Sequence, residues 1–506
     1  MKNKRNFNTA VWNANVPAPT YPKLNSNLEV DAVIVGGGIT GITAAYLLAA
    51  NGKNVVVLEA RHIGNGSTAF STGNLYATVG ERLSRIQKKH GKDTMIEVVK
   101  SRNAAIDFIE STILKHDINC GYQRVPWHLF STDAVLEQNS EIQMELEAGR
   151  EANLQASNNR PSIFPFSNVT EITTFEHQGQ FNAYQYVLAL AALADSSNCK
   201  IFQDTSVLKI EDGNPCIVYT AQHTVRSKHI IMATHSPKGI YQVHTEMKAY
   251  REFAIAAELN QPLPSGAIYW NLTRSGQYSV RPYSNEEGDY LVVLGEPYPV
   301  GTLDNNKNCL SNIEQYLHRN FDVKRIAYRW AAQNYKSADG LPYIGTSALQ
   351  SNTYIATGFK ADGLVYGTLA SMLITDDILG KNNHWLRLYN PVRFTPLASA
   401  KQFAKESLTV VGHLLKDYLF YGEADSVKQI EEGQGKTLTI DGEKIAAYRD
   451  EEGKLHLVSS VCTHMGCIVH FNSIEKSWDC PCHGSRFSID GEVIEGPAYN
   501  NLAKPL

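Results

Sequence analysis

Residues 29–41 read EVDAVIVGGGITG, and this stretch decides the fold of the first part of the chain. Its opening apolar run, interrupted only by Asp31, is typical of a buried β-strand. The glycines predict a tight turn, residues 39–50 have the pattern of an amphipathic helix, and residues 55–58 predict a second buried strand. A strand, a helix and a second strand in this order predict a parallel sheet covered on both faces.

The turn itself carries a nucleotide-binding pattern, because Gly36, Gly38 and Gly41 match GxGxxG between the predicted strand and helix. Glycines at these positions permit the tight turn, the approach of the backbone to a pyrophosphate, and close packing of helix on strand. The helix N-terminus offers unpaired N–H groups to the phosphates. Glu59 ends the second strand, 18 residues after Gly41, where a carboxylate accepts hydrogen bonds from a ribose. We therefore predict a dinucleotide with an unphosphorylated ribose, the alternative being a purely structural glycine turn.

Five later segments extend this pattern. They are GNGST at 64–68, STGN at 71–74, IIMATH at 230–235, DGLPYIG at 339–345 and ATGFKADG at 356–363. With these segments, about residues 28 to 380 resemble the FAD-dependent amine and D-amino-acid oxidase superfamily, which includes glycine and sarcosine oxidases. The resemblance implies FAD rather than NAD, with the isoalloxazine ring near the second and last segments. A second strand-GxGxxG-helix unit is absent from the sequence, which favours an organic substrate over NAD(P)H as the electron source.

The pattern and the resemblance together imply a set of residues that contact FAD. They are Gly36, Gly38, Ile39, Thr40, Gly41, Glu59, Ala60, Arg61, Gly66, Ser67, Thr68, Asn74, Val207, Ala233, Thr234, Gly358, Gly363 and Leu364.

Substrate contacts are predicted from the same resemblance. Arg281 and Lys360 are the candidate catalytic residues. Relatives use an arginine to hold a substrate carboxylate with two hydrogen bonds, and Lys360 is a candidate for lining the flavin face. Arg251 is a second candidate for holding the carboxylate, and the alternative for either arginine is a surface residue or an ordinary ion pair. Further candidates for the flavin face are Trp330, Gln333 and Asn334, and Asp362 either caps the last helix or lies near the flavin.

Two boxes near the C-terminus contain closely spaced cysteines and histidines, CTHMGC at 462–467 and CPCHGS at 480–485. They resemble the two boxes of Rieske proteins, in which two thiolates hold one iron of a 2Fe-2S cluster and two imidazoles hold the other. The resemblance implies that the ligands are Cys462, His464, Cys480 and His483, and that Cys467 and Cys482 form a disulfide. A zinc site is the alternative, but the spacing matches no usual zinc pattern.

Other positions in this region refine the prediction. Ser485 is placed to donate to a cluster sulfide, whereas Phe487 stands where high-potential members usually have tyrosine. We therefore expect a reduction potential within the Rieske range of about −150 to +300 mV but below its upper end. His470 lies outside the ligand pattern and is expected at the surface.

Composition limits the possible partners. The chain has 506 residues, 43% of them hydrophobic, and a net charge of only −4, which argues against nucleic acid as a partner. No apolar stretch approaches the length of about 20 residues that a spanning helix needs. No secretory signal is recognised, so a cytoplasmic location is expected.

The predicted fold is an α/β FAD-binding Rossmann-like domain with an α+β substrate domain, followed by a small all-β Rieske domain. The domain prediction is an N-terminal extension at 1–27, the oxidoreductase domain with an inserted substrate-binding part at 28–390, a linker and helix at 391–424, and the Rieske domain at 425–506. Residues 81–190 are expected to be mainly helical, and residues 200–300 to form short strands.

These features predict an enzyme that dehydrogenates an amine or amino acid on FAD. Electrons would then pass singly through a Rieske 2Fe-2S cluster to an external one-electron acceptor. The alternative is a redox relay, reductase or sensor whose FAD and cluster exchange electrons with a protein partner, without oxidation of a small amine.

Overall fold

The computed structural model describes residues 8–14, 16–132, 136–263, 266–274, 276–302, 308–393 and 427–505. The helix predicted within 391–424 lies outside the described residues. The helices, in chain order, are α1 Ile39–Ala50, α2 Leu83–His90, α3 Lys92–His116, α4 Leu136–Glu151, α5 Ala183–Ala194, α6 Cys309–Asn320, α7 Gly363–Ile378 and α8 Trp385–Tyr389, and 3-10 helices span Gln242–Glu246 and Val427–Gln429.

The strands follow the same chain numbering. They are β1 Leu28–Val35, β2 Val55–Leu58, β3 Asn74–Leu75, β4 Gln123–Ser131, β5 Ala156–Ser157, β6 Glu171–Gln180, β7 Cys199–Phe202, β8 Lys209–Glu211, β9 Cys216–Tyr219, β10 Thr224–Met232, β11 Met247–Leu259, β12 Ile268–Thr273, β13 Gly276–Asn285, β14 Gly288–Pro299, β15 Val323–Ser337, β16 Tyr343–Thr346, β17 Thr353–Thr357, β18 Gly435–Ile440, β19 Glu443–Arg449, β20 Leu455–Ser459, β21 His470–Asn472, β22 Ser477–Asp479, β23 Arg486–Ser488 and β24 Val493–Glu495.

The first sheet carries the glycine turn at the end of β1. Its order is β16-β17-β10-β1-β2-β7, with β9 beside β10 and β8 beside β9. Strand β1 is parallel to both β2 and β10, and β10 is parallel to β17. The second half of β1 and all of β2 are buried, which accounts for their continuous apolar sequences. The predicted α/β class is confirmed.

Helices α1 and α7 pack against each other beside this sheet, with α5 on α1 and α3 on α7. The hydroxyl of Ser371 in α7 donates to the carbonyl oxygen of Thr40 in α1 at 2.6 Å. A Cβ on Gly367 would lie only 2.5 Å from the Thr40 hydroxyl, so the two helices are in close contact there. The first turn of α1 is therefore held near the start of α7.

The second sheet has the order β15-β11-β14-β13-β12-β4-β6-β3, with β5 beside β6. Strands are present between residues 200 and 300 as expected, although β11, β13 and β14 are long rather than short. The expectation that residues 81–190 are mainly helical is only partly right, because β4, β5 and β6 occur among α2 to α5. Pairing of β4 with β6 and β12 outweighs the local helical pattern there.

The N-terminal segment is folded into the core of the larger domain. Trp12 is 2% exposed, and its indole N–H donates to the carbonyl oxygen of Ser71 at 2.7 Å. The ring centroid of Trp12 lies 4.4 Å from that of Tyr283 and 6.4 Å from that of Trp330. This segment therefore helps to hold the loop that contains Ser71.

The C-terminal domain consists of small antiparallel sheets, β18-β19-β20 and β21-β22-β23-β24. Tyr448, Val458, Trp478 and Phe487 are buried in its core together with the cysteines of both boxes. The prediction of a small all-β domain is confirmed. Within the residues that the structure describes, none of the helices combines the length and apolar character that crossing a membrane requires.

Candidate cofactor sites and the contact between them

The glycine turn after β1 has no room for larger residues. Gly36 has a φ of +109°, and a Cβ at this position would lie 2.5 Å from the carbonyl oxygen of Ala233. A Cβ on Gly41 would lie 1.9 Å from the carbonyl oxygen of Gly36. Both positions therefore require glycine, as expected for a strand and helix that cradle a pyrophosphate.

The carboxylate of Glu59 is fixed at the mouth of this turn. It accepts hydrogen bonds from the backbone N–H of Gly37 at 2.7 Å and of Arg61 at 2.8 Å. The N–H of Ile39, in the first turn of α1, donates to the Thr68 hydroxyl at 3.0 Å. The segment 64–68 thus lies against the N-terminus of α1, as the resemblance to flavoproteins implies.

Other residues predicted to contact FAD surround the same turn. Ala233 and Thr234 follow β10 directly, and the N–H of Ala233 donates to the Val35 carbonyl oxygen at 2.9 Å. Val207 is buried beside β1 and β2. A Cβ on Gly66 would meet no atom within 4 Å. Sequence patterns did not single out His235, whose Nδ1 lies 3.0 Å from the Ser67 hydroxyl and whose φ is +67°.

Hydrogen bonds and an ion pair connect the segment before α7 to the loop after β3. The Asp362 carboxylate accepts a hydrogen bond from the N–H of Gly80 at 2.8 Å and pairs with the Arg102 guanidinium at 3.2 Å. It makes no side-chain cap of α7, so the capping role expected as one alternative is not found. The ammonium of Lys360 donates to the Gly80 carbonyl oxygen at 2.7 Å and pairs with Glu81 at 3.1 Å.

Helix α7 also contacts β3, so the two segments that the resemblance places near the isoalloxazine ring lie close together. Gly363 and Leu364 begin α7 at this point, directly after Asp362. Asn74 begins β3, and its side chain is buried. Burial lowers the pKa of Lys360, an effect opposed by the neighbouring Glu81 carboxylate.

The two candidate arginines have different surroundings. Arg281 is buried, donates to the carbonyl oxygen of Thr72 at 2.8 Å and lies over the Trp12 ring at 4.9 Å. Burial lowers the pKa of this guanidinium to about 10. Arg251 instead forms an ion pair with Glu475 of the C-terminal domain. The ion-pair alternative is therefore correct for Arg251, which the contact between domains occupies.

Strand β15 separates two groups of candidate residues. Gln333 and Asn334 are adjacent in the strand, so their side chains point to opposite faces of the sheet. The Gln333 amide donates to the carbonyl oxygen of Gly484 in the second cysteine-histidine box at 2.8 Å. Trp330, on the same face as Asn334, donates from its indole N–H to the Phe70 carbonyl oxygen at 3.0 Å. One face of the sheet thus meets the nucleotide-binding domain and the other meets the C-terminal domain.

The two boxes form adjacent tight loops. The N–H of Cys462 donates to the Cys467 carbonyl oxygen at 2.8 Å, and the N–H of Cys480 donates to the Ser485 carbonyl oxygen at 2.8 Å. A disulfide joins Cys467 and Cys482, whereas Cys462 and Cys480 are buried thiols. The sulfur atoms of Cys467, Cys480 and Cys482 lie within 4.8 Å of one another, but the disulfide leaves only one of these three as a thiolate donor.

The donor atoms suit a cluster with two sulfur and two nitrogen ligands. The Nδ1 atoms of His464 and His483 are buried, and no hydrogen-bond partner for either is found among the described residues. The two imidazole rings lie 5.0 Å apart. Unpartnered buried nitrogens are costly unless they bind a ligand. The disulfide removes two of the six possible donors and leaves two thiols and two imidazoles, which is the Rieske ligand set.

Hydrogen bonding and burial shift the pKa values of the proposed ligands in both directions. A hydrogen bond with Cys480, assisted by the N–H of His464 and the hydroxyl of Ser485, lowers the pKa of the Cys462 thiol to about 7. Burial, and to a lesser extent the nearby His464, lowers the pKa of His483 to about 4. A ligand must be a thiolate or a neutral imidazole, so these two shifts favour coordination. The same hydrogen bond raises the pKa of the Cys480 thiol, which acts in the opposite direction.

Three residues near the boxes were considered in the sequence, and one of them, His470, departs from the expectation. Phe487 is fully buried against Trp478 in the domain core. The Ser485 hydroxyl accepts a hydrogen bond from the N–H of Ala498 at 3.1 Å. The expectation that His470 is a surface residue is wrong, because its side chain is buried and its Nδ1 donates to the Gly301 carbonyl oxygen of the larger domain at 2.5 Å.

The candidate cluster edge faces the larger domain. The Nε2 of His464 donates to the Gly239 carbonyl oxygen at 3.0 Å. The His244 ring packs 4.9 Å from the His464 ring and 5.9 Å from the His483 ring. Its Nε2 donates to the Pro237 carbonyl oxygen at 3.0 Å. Neither Gly239 nor His244 lies in a recognisable motif, so only the three-dimensional structure identifies them.

A family model for FAD-dependent oxidoreductases matches residues 31–377, which is most of the chain. The chain belongs to the FAD-dependent oxidoreductase family. In this oxidoreductase a second model, for the Rieske [2Fe-2S] domain, matches residues 421–505. The predicted cofactors, FAD and a Rieske cluster, are thereby confirmed.

Known proteins resemble this FAD-dependent oxidoreductase over different shares of its length. It is 30% identical over 498 residues to the putative Rieske 2Fe-2S iron-sulfur protein YhfW of Bacillus subtilis, covering 97% of this chain and 96% of that protein. It is 24% identical over 377 residues to gamma-glutamylputrescine oxidoreductase of Escherichia coli, covering 72% and 87%. The crystal structure of glycine oxidase from Geobacillus kaustophilus shares the fold, with a TM-score of 0.60, 17% identity and coverage of 72% and 99%.

Proposed function

We propose that this oxidoreductase dehydrogenates an amine or amino acid and passes the electrons one at a time from FAD to its Rieske cluster. The observation that most supports this proposal is that the cluster-binding domain contacts the oxidoreductase domain through His464 and Gly239. When bound, FAD accepts two electrons as a hydride equivalent and the cluster carries one. An external one-electron acceptor would complete the cycle.

The proposed cofactor ligands follow from the geometry of the two sites. We assign the dinucleotide to the turn at Gly36 and Gly41, with its ribose at Glu59. The proposed cluster ligands are Cys462, His464, Cys480 and His483, and their donor set supports this assignment. The C-terminal domain also reaches the nucleotide site, because the Arg61 guanidinium donates to the Ile494 carbonyl oxygen at 2.8 Å.

One layer of β-sheet separates the two proposed cofactor sites. Asn334 and Lys360 lie on the side assigned to the isoalloxazine ring, and Gln333 contacts the second box on the other side. Gln333 and Asn334 are neighbours in β15, so both proposed sites contact the same strand, which supports electron transfer across this sheet. Tyr335 adds a contact at the same place, since its hydroxyl donates to the Gly496 carbonyl oxygen at 3.0 Å.

Substrate dehydrogenation is supported by fold and relatives. Glycine oxidase shares the fold, and gamma-glutamylputrescine oxidoreductase shares sequence over most of its length. Arg281 is the remaining arginine candidate for a substrate carboxylate, because Arg251 is paired with Glu475. Lys360 is the candidate for a contact near the flavin.

Anaerobic mixing with a panel of amines and amino acids tests the proposal. We expect one class of compound to bleach the flavin spectrum and then to reduce the cluster, as followed by absorbance and electron paramagnetic resonance. A Cys480→Ser variant should still bleach but should show no cluster signal. Bleaching only by a reduced partner protein would instead favour the redox relay.

A further inference from the structure

Strand β24 of the Rieske domain contacts two of the segments that carry predicted FAD contacts. In the first segment, the Arg61 guanidinium donates to the carbonyl oxygens of Val493 at 3.3 Å and Ile494 at 2.8 Å. The backbone N–H of Arg61 donates to Glu59, the carboxylate assigned to the ribose. The ribose end of the proposed dinucleotide site therefore lies beside a strand of the other domain.

The second contact joins β24 to the loop at 64–68. The Nδ1 atom of His235 lies 3.0 Å from the Ser67 hydroxyl and 3.5 Å from Oε1 of Glu495, the last residue of β24. One imidazole nitrogen thus faces both a hydroxyl of the loop assigned to FAD and a carboxylate of the Rieske domain. His235 therefore connects the proposed FAD site to the Rieske domain.

The backbone and ring of His235 are held by neighbouring groups. Its φ is +67°, an uncommon conformation for residues other than glycine. Its carbonyl oxygen accepts a hydrogen bond from the Thr357 hydroxyl at 2.7 Å, and its ring packs edge-on against the Tyr335 ring at 4.8 Å. The Tyr335 hydroxyl donates to the carbonyl oxygen of Gly496, the residue after β24. A displacement of the imidazole would therefore be felt at the end of β24.

The carboxylate that faces His235 is held by two buried cations. Glu495 lies 3.5 Å from Arg251 and 3.8 Å from Arg486, and the side chain of each arginine is 4% exposed. Both arginines also pair with Glu475. Removal of the Glu495 charge would leave each arginine with a carboxylate partner, so a neutral residue at this position should allow the domains to fold.

We propose that β24 of the Rieske domain completes the dinucleotide-binding site, so that binding of FAD and docking of the Rieske domain stabilise each other. The inference rests on the proposed assignment of FAD to the turn at Gly36 and Gly41, and it adds a second domain to that site. Arg61 and His235 carry the two contacts. Linkage of this kind is reciprocal, so a change that weakens docking also weakens FAD binding.

Glu495→Gln tests the linkage from the Rieske domain. The variant removes the charge that faces His235 while all four proposed cluster ligands stay unchanged. The matched control, Glu492→Gln, makes the same change at an exposed residue of the turn before β24. A dilution series of holoprotein gives the dissociation constant of FAD from the fluorescence of the released flavin. We expect this constant to rise at least fivefold in Glu495→Gln and to stay unchanged in Glu492→Gln, with equal iron contents.

A double-mutant cycle tests whether His235 is the connection. His235→Asn removes the imidazole and introduces a residue type that tolerates positive φ. In this background we expect Glu495→Gln to change the dissociation constant of FAD less than twofold, because the contact between the two side chains is already lost. Additive effects of the two substitutions would contradict a connection through the imidazole.

Hydrogen exchange tests the linkage from the FAD site and does not require the flavin to dissociate. Ser67→Ala removes the hydroxyl that faces His235. Ser71→Ala is the matched control, because this hydroxyl donates within the loop to the Thr68 carbonyl oxygen at 2.8 Å. Mass spectrometry of the holoprotein should show at least threefold faster exchange of the β24 amides in Ser67→Ala and unchanged exchange in Ser71→Ala.

Wild-type FAD affinity in Glu495→Gln, or unchanged exchange of β24 in Ser67→Ala, overturns the inference. If FAD does not dissociate from the wild type, the exchange of β24 decides the question by itself. Linkage in a protein whose flavin no amine reduces would retain the shared site while refuting the proposed dehydrogenation. Flavin reduction by an amine without any linkage would do the reverse.

Discussion

The imidazole Nε2 of His464 donates a hydrogen bond to the backbone carbonyl oxygen of Gly239, 3.0 Å away and in the other domain. In this structure, an edge of the proposed cluster therefore contacts the domain that binds FAD. The buried ring of His244 packs against the same imidazole. The acceptor that we propose for electrons from FAD is thus part of the same chain.

Gly239→Ala should slow electron transfer from flavin to cluster while FAD and iron contents stay unchanged. Gly239 has a φ of +92°, and a Cβ there would lie 3.0 Å from the Tyr499 ring, so the backbone that carries the His464 hydrogen bond is expected to shift. We expect at least a tenfold decrease in the rate of cluster reduction, measured by stopped-flow absorbance.

The control for this variant is Gly380→Ala. Gly380 has a comparable φ of +70°, and its Cβ would meet no atom within 4 Å. Both variants carry the same backbone strain of about 1–2 kcal/mol, but only Gly239 contacts the cluster-binding box. Equal rates of cluster reduction in the two variants would contradict the role that we assign to the Gly239 carbonyl.

Replacing a proposed cluster ligand should remove iron without removing FAD. Cys480→Ser and His483→Ala are expected to lose iron and acid-labile sulfide, because each takes one of the four donors from a buried site. Met465→Ala is the control in the first box, since this side chain is 46% exposed. Metal, sulfide and flavin analysis of the purified variants gives the answer, and a full iron content in Cys480→Ser would refute the ligand assignment.

Gly41→Ala should abolish FAD binding. The added Cβ would lie 1.9 Å from the Gly36 carbonyl oxygen, so α1 must move away from β1 and the phosphate-binding turn must open. Gly66→Ala introduces a Cβ that meets no protein atom within 4 Å, so this variant should fold normally. The flavin-to-protein ratio and the circular dichroism spectrum measure both effects. A full complement of FAD in Gly41→Ala would contradict the proposed site.

Glu81 should make the stability of the oxidoreductase domain depend on acid pH. Burial raises the pKa of this carboxyl, but Lys360, Lys336 and Lys89 outweigh that effect and bring it to about 2. The lowered pKa contributes stability that is present above about pH 4.5 and is lost as the pH falls toward 2. Its size is on the order of 3 kcal/mol.

Chemical denaturation of wild type and Glu81→Gln at several pH values measures this contribution. The variant should be less stable at neutral pH, and the difference should shrink as the pH falls below 4.5. A difference between the two proteins that does not change with pH would show that the charge of Glu81 is not the cause.

Local patterns were sufficient to predict the parts of the molecule that depend on residues close in sequence. The turn at Gly36, the acid at Glu59 and the two cysteine-histidine boxes each lie within a short stretch whose residue types are set by sterics or by ligand chemistry. Strand β4 was missed because its pairing with β6 and β12, rather than its own pattern, determines its conformation.

The contacts between the domains could not be predicted in this way. Arg251 and Glu475 are 224 residues apart in sequence, and no motif marks either of them. His470 was expected at the surface because it lies outside the ligand pattern, and the partner that its ring contacts, Gly301, belongs to the other domain.

The rate of cluster reduction after anaerobic mixing with a reducing amine, measured at several enzyme concentrations, tests the central claim most directly. Transfer between FAD and a cluster held in the same chain predicts that the cluster signal follows flavin bleaching with a rate constant independent of enzyme concentration. A rate constant that rises in proportion to enzyme concentration, or a cluster that stays oxidised beside fully bleached flavin, would contradict the account.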